Sequence, residues 1–273
     1  MELTKKQRFW KAHIEAAQGF EGTQAEYARL HDLDLKKFYF FKATLRDKGL
    51  LGDAAHVELE VRVAAGHHVE MPLLPGHGTV IEDLLDSTWA DWTSEVAAAH
   101  ARLVDRADAV VVMGLSMGGA LTLWAGLELD AVTGLVCINA VAVPLPAEMR
   151  EMIAEMVTDG TEVAPAISGD IADPAGSENG YDGTPLRPML SFMNDGVAPM
   201  TDRYGELTMP LLIITSRQDH VVEPANSEHL AATHGGELEH VWLERSYHVA
   251  TVDFDADEIN RRAADFVVRL AGA

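Results

Sequence analysis

Residues 109–127 carry no charge, yet glycines at 114, 118, 119 and 126 and a serine at 116 interrupt them. A membrane span is set aside on that ground, although the stretch is nearly long enough for one. Ala109, Val110, Val111, Val112 and Met113 form a short apolar run that reads as a parallel strand buried on both faces. Helical spacing resumes after Gly119. Between the two lie Gly114, Leu115, Ser116, Met117 and Gly118, a Gly-x-Ser-x-Gly pattern in the strand-to-helix setting that such a pattern requires. The turn is tight. Side chains at 114 or 118 are expected to clash where strand and helix approach, and Gly119 extends the close packing. Ser116 is thereby expected to stand at the carboxyl end of the sheet.

A hydroxyl is a poor nucleophile until a base takes its proton, and the base needs a carboxylate to fix its tautomer. Twelve histidines are available. For a serine on this kind of turn the partners follow in chain order, acid and then histidine, each after a late strand. That order selects Asp219, within Ser216-Arg217-Gln218-Asp219-His220, and His248, within Glu244-Arg245-Ser246-Tyr247-His248. Each residue also has a plainer reading: Asp219 as a loop aspartate capping the next helix, His248 as a surface histidine, Ser116 as a buried turn serine.

Around this core the chain alternates. Strands are expected at 68–73, 109–113, 134–139, 210–216 and 238–243, with helices at 89–104, from Met117, near Ala225, and at the C-terminus, capped by Asp255 and Glu258. A Gly/Pro loop at 74–78 follows the first of these strands. Alternation of this kind implies a mostly parallel sheet with helices on both faces. Val57, Leu59, Val61 and Val63 alternate with Glu58, Glu60 and Arg62 as a half-exposed edge strand would. Residues 143–209, rich in Gly and Pro with helical patches, read as a small cap, and Met149, Met152 and Met156 there read as packing residues that would also suit an adaptable acyl pocket.

Charge divides the chain. Residues 1–50 hold ten Lys/Arg to seven Asp/Glu, and the other eleven Lys/Arg face thirty-six Asp/Glu. So acidic a body repels nucleic acid and anionic membrane, which leaves residues 5–48 as the one segment suited to DNA. Cys137 is the single cysteine, which excludes an intramolecular disulfide and a thiolate metal cluster and suits a reducing cytoplasm. Met1 to Lys6 are followed by no apolar h-region, so no signal peptide is expected. His67, His68, His229, His234 and His240 lack metal-ligand spacing. No metal or other cofactor is expected.

Residues 66–273 resemble small bacterial carboxylesterases and monoacylglycerol lipases of the α/β-hydrolase superfamily. The resemblance rests on Leu74-Pro75-Gly76-His77-Gly78, Trp89 to Trp92, Gly114 to Gly119, Gln218-Asp219-His220, and Glu244 to Val249 followed by Val252-Asp253. It implies an α/β-hydrolase fold, a triad of Ser116, Asp219 and His248, and the backbone N–H of Met117 as one oxyanion donor. The implied activity is hydrolysis of carboxylic esters, with short or medium acyl esters or monoacylglycerols as small-molecule substrates. One departure stands out. The family's His-Gly motif, whose loop supplies the second oxyanion donor, has no counterpart before residue 77, and His77-Gly78 and His234-Gly235 lie in the wrong places. Loss of one donor typically lowers the rate by ~10²- to 10³-fold, so an impaired enzyme is expected.

Residues 5–48 instead resemble the helix-turn-helix of small accessory proteins encoded by bacterial insertion elements, through Phe9-Trp10, His13-Ile14-Glu15, Gln24-Ala25-Glu26-Tyr27 and Phe38 to Leu45. Helices are expected over 4–18, from the capping box at Thr23 to Glu26 as far as Leu30, and over 35–48. The expected domains are thus a helical segment at 1–52 and the hydrolase domain at 53–273. The alternative reading is a DNA-associated protein carrying a catalytically weak hydrolase-like body.

Overall fold

A computed structural model describes residues 67–178 and 180–272 and, from the front of the chain, residues 6, 9–11, 13–14, 29–31, 33, 37 and 41. The chain divides into two compact units, residues 1–69 with 77–80 and residues 70–76 with 81–273. In the first, Trp10 and Ile14 are buried helical residues, and the Trp10 ring stacks on Phe41 with centroids 5.4 Å apart. Apart from such single residues, the expected helix-turn-helix at 5–48 and the expected strand within 53–66 lie outside the described residues.

The second unit is built on parallel strands β1 (Val110–Leu115), β2 (Val132–Ile138), β5 (Leu211–Ser216) and β6 (Leu238–Leu243), in the order β1-β2-β5-β6. Helices α1 (Trp89–Val104), α2 (Met117–Glu128), α5 (Ala225–Thr233) and α6 (Ala256–Ala271) connect and cover them. Between β2 and β5 lie α3 (Ala147–Thr158), an antiparallel pair β3 (Val163–Pro165) and β4 (Gly183–Pro185), and α4 (Leu186–Ser191), which runs on into a π-helical turn at Phe192–Val197.

Alternation along the strands explains why both faces are apolar. Leu135, Cys137, Leu211 and Ile213 pack with Trp92, Leu121, Leu123 and Leu230 from α1, α2 and α5. Their neighbours Val136, Ile138, Leu212 and Ile214 point the other way, onto Ile259, Ala263 and Phe266 of α6. Those three recur at one helical face, and burial of a side chain the size of Ile259 or Phe266 contributes roughly 1.5–3 kcal/mol. Burial raises the Cys137 thiol pKa and leaves it an inert part of this core. No helix among the described residues is long and apolar enough to cross a membrane.

Two local expectations are corrected. Residues 68–73 form no strand, because extended periodicity becomes a strand only where a neighbouring ladder takes its hydrogen bonds, and no ladder among the described residues includes them. Met149 and Met152 are exposed by 43% and 52%, on the solvent face of α3, so they are not packing residues.

Candidate active site

The parallel register brings the strand ends level. Leu115 lies opposite Ile138, Ile138 opposite Ile214, and Ser216 opposite Leu243, so the segments that follow all emerge at one edge of the sheet. Ser116, Asp219 and His248 sit on those segments, each within a few residues of its strand.

Ser116 joins β1 to α2 with φ 56° and ψ −117°, a conformation that L-residues rarely adopt and that stores about 1–3 kcal/mol. Main-chain bonds hold it there. Its N–H donates to Ile138 O at 3.0 Å, and its carbonyl accepts from Gly119 at 3.0 Å and Val141 at 3.3 Å. Gly114 is required, since a Cβ there would lie 2.1 Å from Gly118 O, and Gly119 is required, since a Cβ would lie 2.4 Å from that of Ala140. The expectation for Gly118 is corrected: a Cβ there would meet nothing within 4 Å, because that position faces open space instead of the strand. Met117 opens α2, so its N–H belongs to the first turn and has no intrahelical acceptor.

Asp219 and His248 meet directly. Asp219 Oδ2 lies 2.8 Å from His248 Nδ1, with side-chain exposures of 1% and 8%. A carboxylate only accepts, so Nδ1 carries the proton and Nε2 is left as the basic nitrogen. The helix-capping reading of Asp219 is corrected: α5 has Pro224 at its N-cap and no side-chain cap, and the other Asp219 oxygen instead closes a turn in its own loop, accepting from Val221 at 2.9 Å and Val222 at 2.8 Å. One carboxylate therefore fixes both its own loop and the imidazole. Among the described residues the Ser116 hydroxyl makes no hydrogen bond to that ring.

Asn139, which sequence reasoning passed over, and Asp253 and Asp255, whose bonds it did not foresee, hold this edge together. Asn139, buried and with φ 43°, accepts from Ser216 N–H at 2.7 Å and donates to Ser216 Oγ at 3.0 Å and to His248 O at 2.8 Å. Asp253 accepts from the N–H groups of Tyr247, Ala172, Asp173 and Phe254. Burial works to raise its carboxyl pKa, and these four bonds outweigh that and hold it below the ordinary range. Asp255 occupies the position before α6, but its side chain makes no helix cap. It turns instead to Ser246, accepting from its N–H and Oγ at 2.9 Å each.

His229 faces Thr201 O at 3.2 Å and His240 faces Thr215 Oγ1 at 2.9 Å. Among the described residues no group of three or more His, Cys, Asp or Glu is disposed to hold a metal ion.

A doubly covered parallel sheet whose carboxyl edge carries a serine on a strained turn and, on the same edge, a buried carboxylate–imidazole pair is the arrangement of the α/β hydrolases, and the chain belongs to the α/β hydrolase family, matching it over residues 50–262. Among its relatives is a thermostable monoacylglycerol lipase of Bacillus sp. (strain H-257), 36% identical over 217 residues, which are 78% of this chain and 84% of that one. A carboxylesterase of Bacillus subtilis (strain 168) is 23% identical over 236 residues, 84% of this chain and 93% of the relative. Among solved structures, a chain from the work on LipS and LipT, two metagenome-derived lipolytic enzymes, superposes with a TM-score of 0.72 at 37% identity, over 79% of this chain and 87% of that chain.

Proposed function

We propose that the protein hydrolyses carboxylic esters, short or medium acyl esters and monoacylglycerols among them, through an acyl-enzyme on Ser116. The observation that carries this reading is the 2.8 Å contact between Asp219 and His248 at the sheet edge that bears Ser116. The lipolytic relatives support the substrate class.

In this reading His248 Nε2 takes the Ser116 proton as Oγ attacks the ester carbonyl. Asp219 keeps Nδ1 protonated and stabilises the imidazolium that forms. The N–H of Met117 donates to the oxyanion. His248 then gives its proton to the departing alcohol, and water, activated by the same imidazole, releases the acid. Contacts between nucleophile and base of this kind tighten when substrate binds. Residues 51–66 lie outside the described residues, and with no His-Gly before residue 77 this reading assigns Met117 as its one oxyanion donor.

The test is hydrolysis of p-nitrophenyl butyrate and of a monoacylglycerol by the wild type and Ser116→Ala. Wild-type turnover with a burst of nitrophenol and a silent variant is the expected result. Equal rates from the two proteins would end the proposal.

A further inference from the structure

Asp170 stands in the segment between β2 and β5, far along the chain from both reactive loops, yet it touches each of them. Its Oδ2 accepts from the N–H of His248 and from the N–H of His220, both at 3.1 Å, and its Oδ1 lies 2.8 Å from His220 Nδ1. Its main-chain carbonyl accepts from Val249 N–H at 3.1 Å. One residue thus binds the base itself, the residue after the base, and the residue after the acid. The His220 ring also packs edge-on against Tyr247, with centroids 4.6 Å apart.

Other bonds join the same two loops, but nearer their strands. Arg217 pairs with Glu244 at 2.7 Å, and Gln218 donates to Glu244 O at 3.0 Å. Nearer the tips Asp219 meets His248 at 2.8 Å and Asn139 donates to His248 O at 2.8 Å, and neither bond reaches the residue after the acid. At the tips the Asp170 carboxylate is the acceptor common to both loops, and its side chain is only 16% exposed, so its bonds are little screened. Burial works to raise the Asp170 carboxyl pKa, and the bonds from His220 and His248 outweigh it and keep the group below the ordinary carboxylate range.

We propose that Asp170 is a positioning residue for the reaction, holding the His248 and Asp219 loops in the relative placement that aims the imidazole at Ser116. It touches neither substrate nor reacting atoms. Because it belongs to the inserted segment, the placement of that segment becomes part of the geometry of the catalytic pair. The inference rests on the proposed serine mechanism and adds a residue to it.

The experiment compares wild type, Asp170→Asn, Asp170→Glu and His220→Ala on p-nitrophenyl butyrate, with rates divided by the active-site titre from a phosphonate inhibitor and Ser116→Ala as the blank. Misaiming by about 1 Å lowers rates on the order of 10²-fold, so Asp170→Asn is expected to lose about 10- to 100-fold in kcat per titrated site with KM within about twofold. Asp170→Glu, which keeps the carboxylate, recovers part of the loss. The far-downfield proton of the His248–Asp219 hydrogen bond weakens in the Asn variant. A kcat per site equal to wild type in Asp170→Asn overturns the inference, and so does a loss seen only in titre. Should that variant not fold, His220→Ala decides, a lowered kcat at constant KM supporting the inference and a wild-type kcat refuting it. Activity in Ser116→Ala equal to wild type would instead refute the serine mechanism itself, so the two failures are told apart.

Discussion

Asn139 donates from Nδ2 to the main-chain carbonyl of His248 across 2.8 Å, although 109 residues separate them in the chain. The same side chain accepts from the Ser216 N–H, so one amide joins the end of β2, the end of β5 and the loop of the base. Ser116 closes the circuit, since its N–H and carbonyl are bonded to Ile138 and Val141 on either side of Asn139. Asparagine suits the place twice over: it tolerates the positive φ of 43°, and its amide both donates and accepts.

Asn139→Ala is therefore expected to leave a buried N–H and a buried carbonyl without partners. Such groups are each costly by about 1–3 kcal/mol, so stability should fall by about 2–6 kcal/mol. Thermal unfolding followed by circular dichroism checks this, and a midpoint unchanged within about a degree would contradict it.

Strain at Ser116 predicts an asymmetry between two inactive variants. Ser116→Ala keeps a Cβ at φ 56°, whereas Ser116→Gly removes it, so the glycine variant should be the more stable by about 1 kcal/mol. Urea titration of the two proteins measures the difference. An alanine variant at least as stable as the glycine one would show that the turn is not strained.

Gly118 and Gly119 are neighbours with opposite expected sensitivities. Gly118→Ala places its methyl group in open space and gains helix propensity, so stability should hold or rise by up to about 1 kcal/mol. Gly119→Ala drives a Cβ to 2.4 Å from that of Ala140 and should lose about 1–3 kcal/mol. Chemical denaturation of both variants is the check, and equal effects would refute the packing of α2 on the residues after β2.

Asp253 predicts a pH dependence with a definite sign. Its carboxyl pKa is depressed in the folded protein by four main-chain donors, so its stabilisation is present above the unfolded value near ~3.9 and is lost as pH falls through the folded value. Asp253→Asn should be less stable than wild type by about 2–3 kcal/mol at neutral pH, since an amide cannot accept all four bonds. The gap should stay level from about pH 7 to 5 and close below about pH 4. Denaturant unfolding across that range measures it, and a gap that persists at about pH 2.5 would count against the assignment.

Much of the site was legible because its signals are local. The glycines at 114 and 119 mark a close approach that any chain making this turn must respect, and the order of serine, aspartate and histidine along the chain reflects the order of the strands. The misreading of Gly118 shows the limit of that logic, since spacing identifies the turn and not the face on which each glycine lies. Residues 68–73 failed for a related reason, because a strand is a relation between segments and a place in the order of strands and helices supplies no partner for it.

From the amino-acid order alone came the alternation of strand and helix, the elbow at Ser116, and the choice of Asp219 and His248 from many candidates. Only the folded chain gave Asn139, Asp170 and Asp253 their bonding partners and moved Asp255 from capping α6 to holding Ser246. Each is a polar residue after a strand or in a loop, one of many such in an acidic protein, and its identity alone does not name its partners. Its role arises where four strands of a parallel sheet end level, so that main-chain donors and acceptors from segments as much as 109 residues apart converge on one side chain. Covalent order sets the local conformations, whereas hydrogen bonds between distant segments exist only after the sheet has brought those segments together.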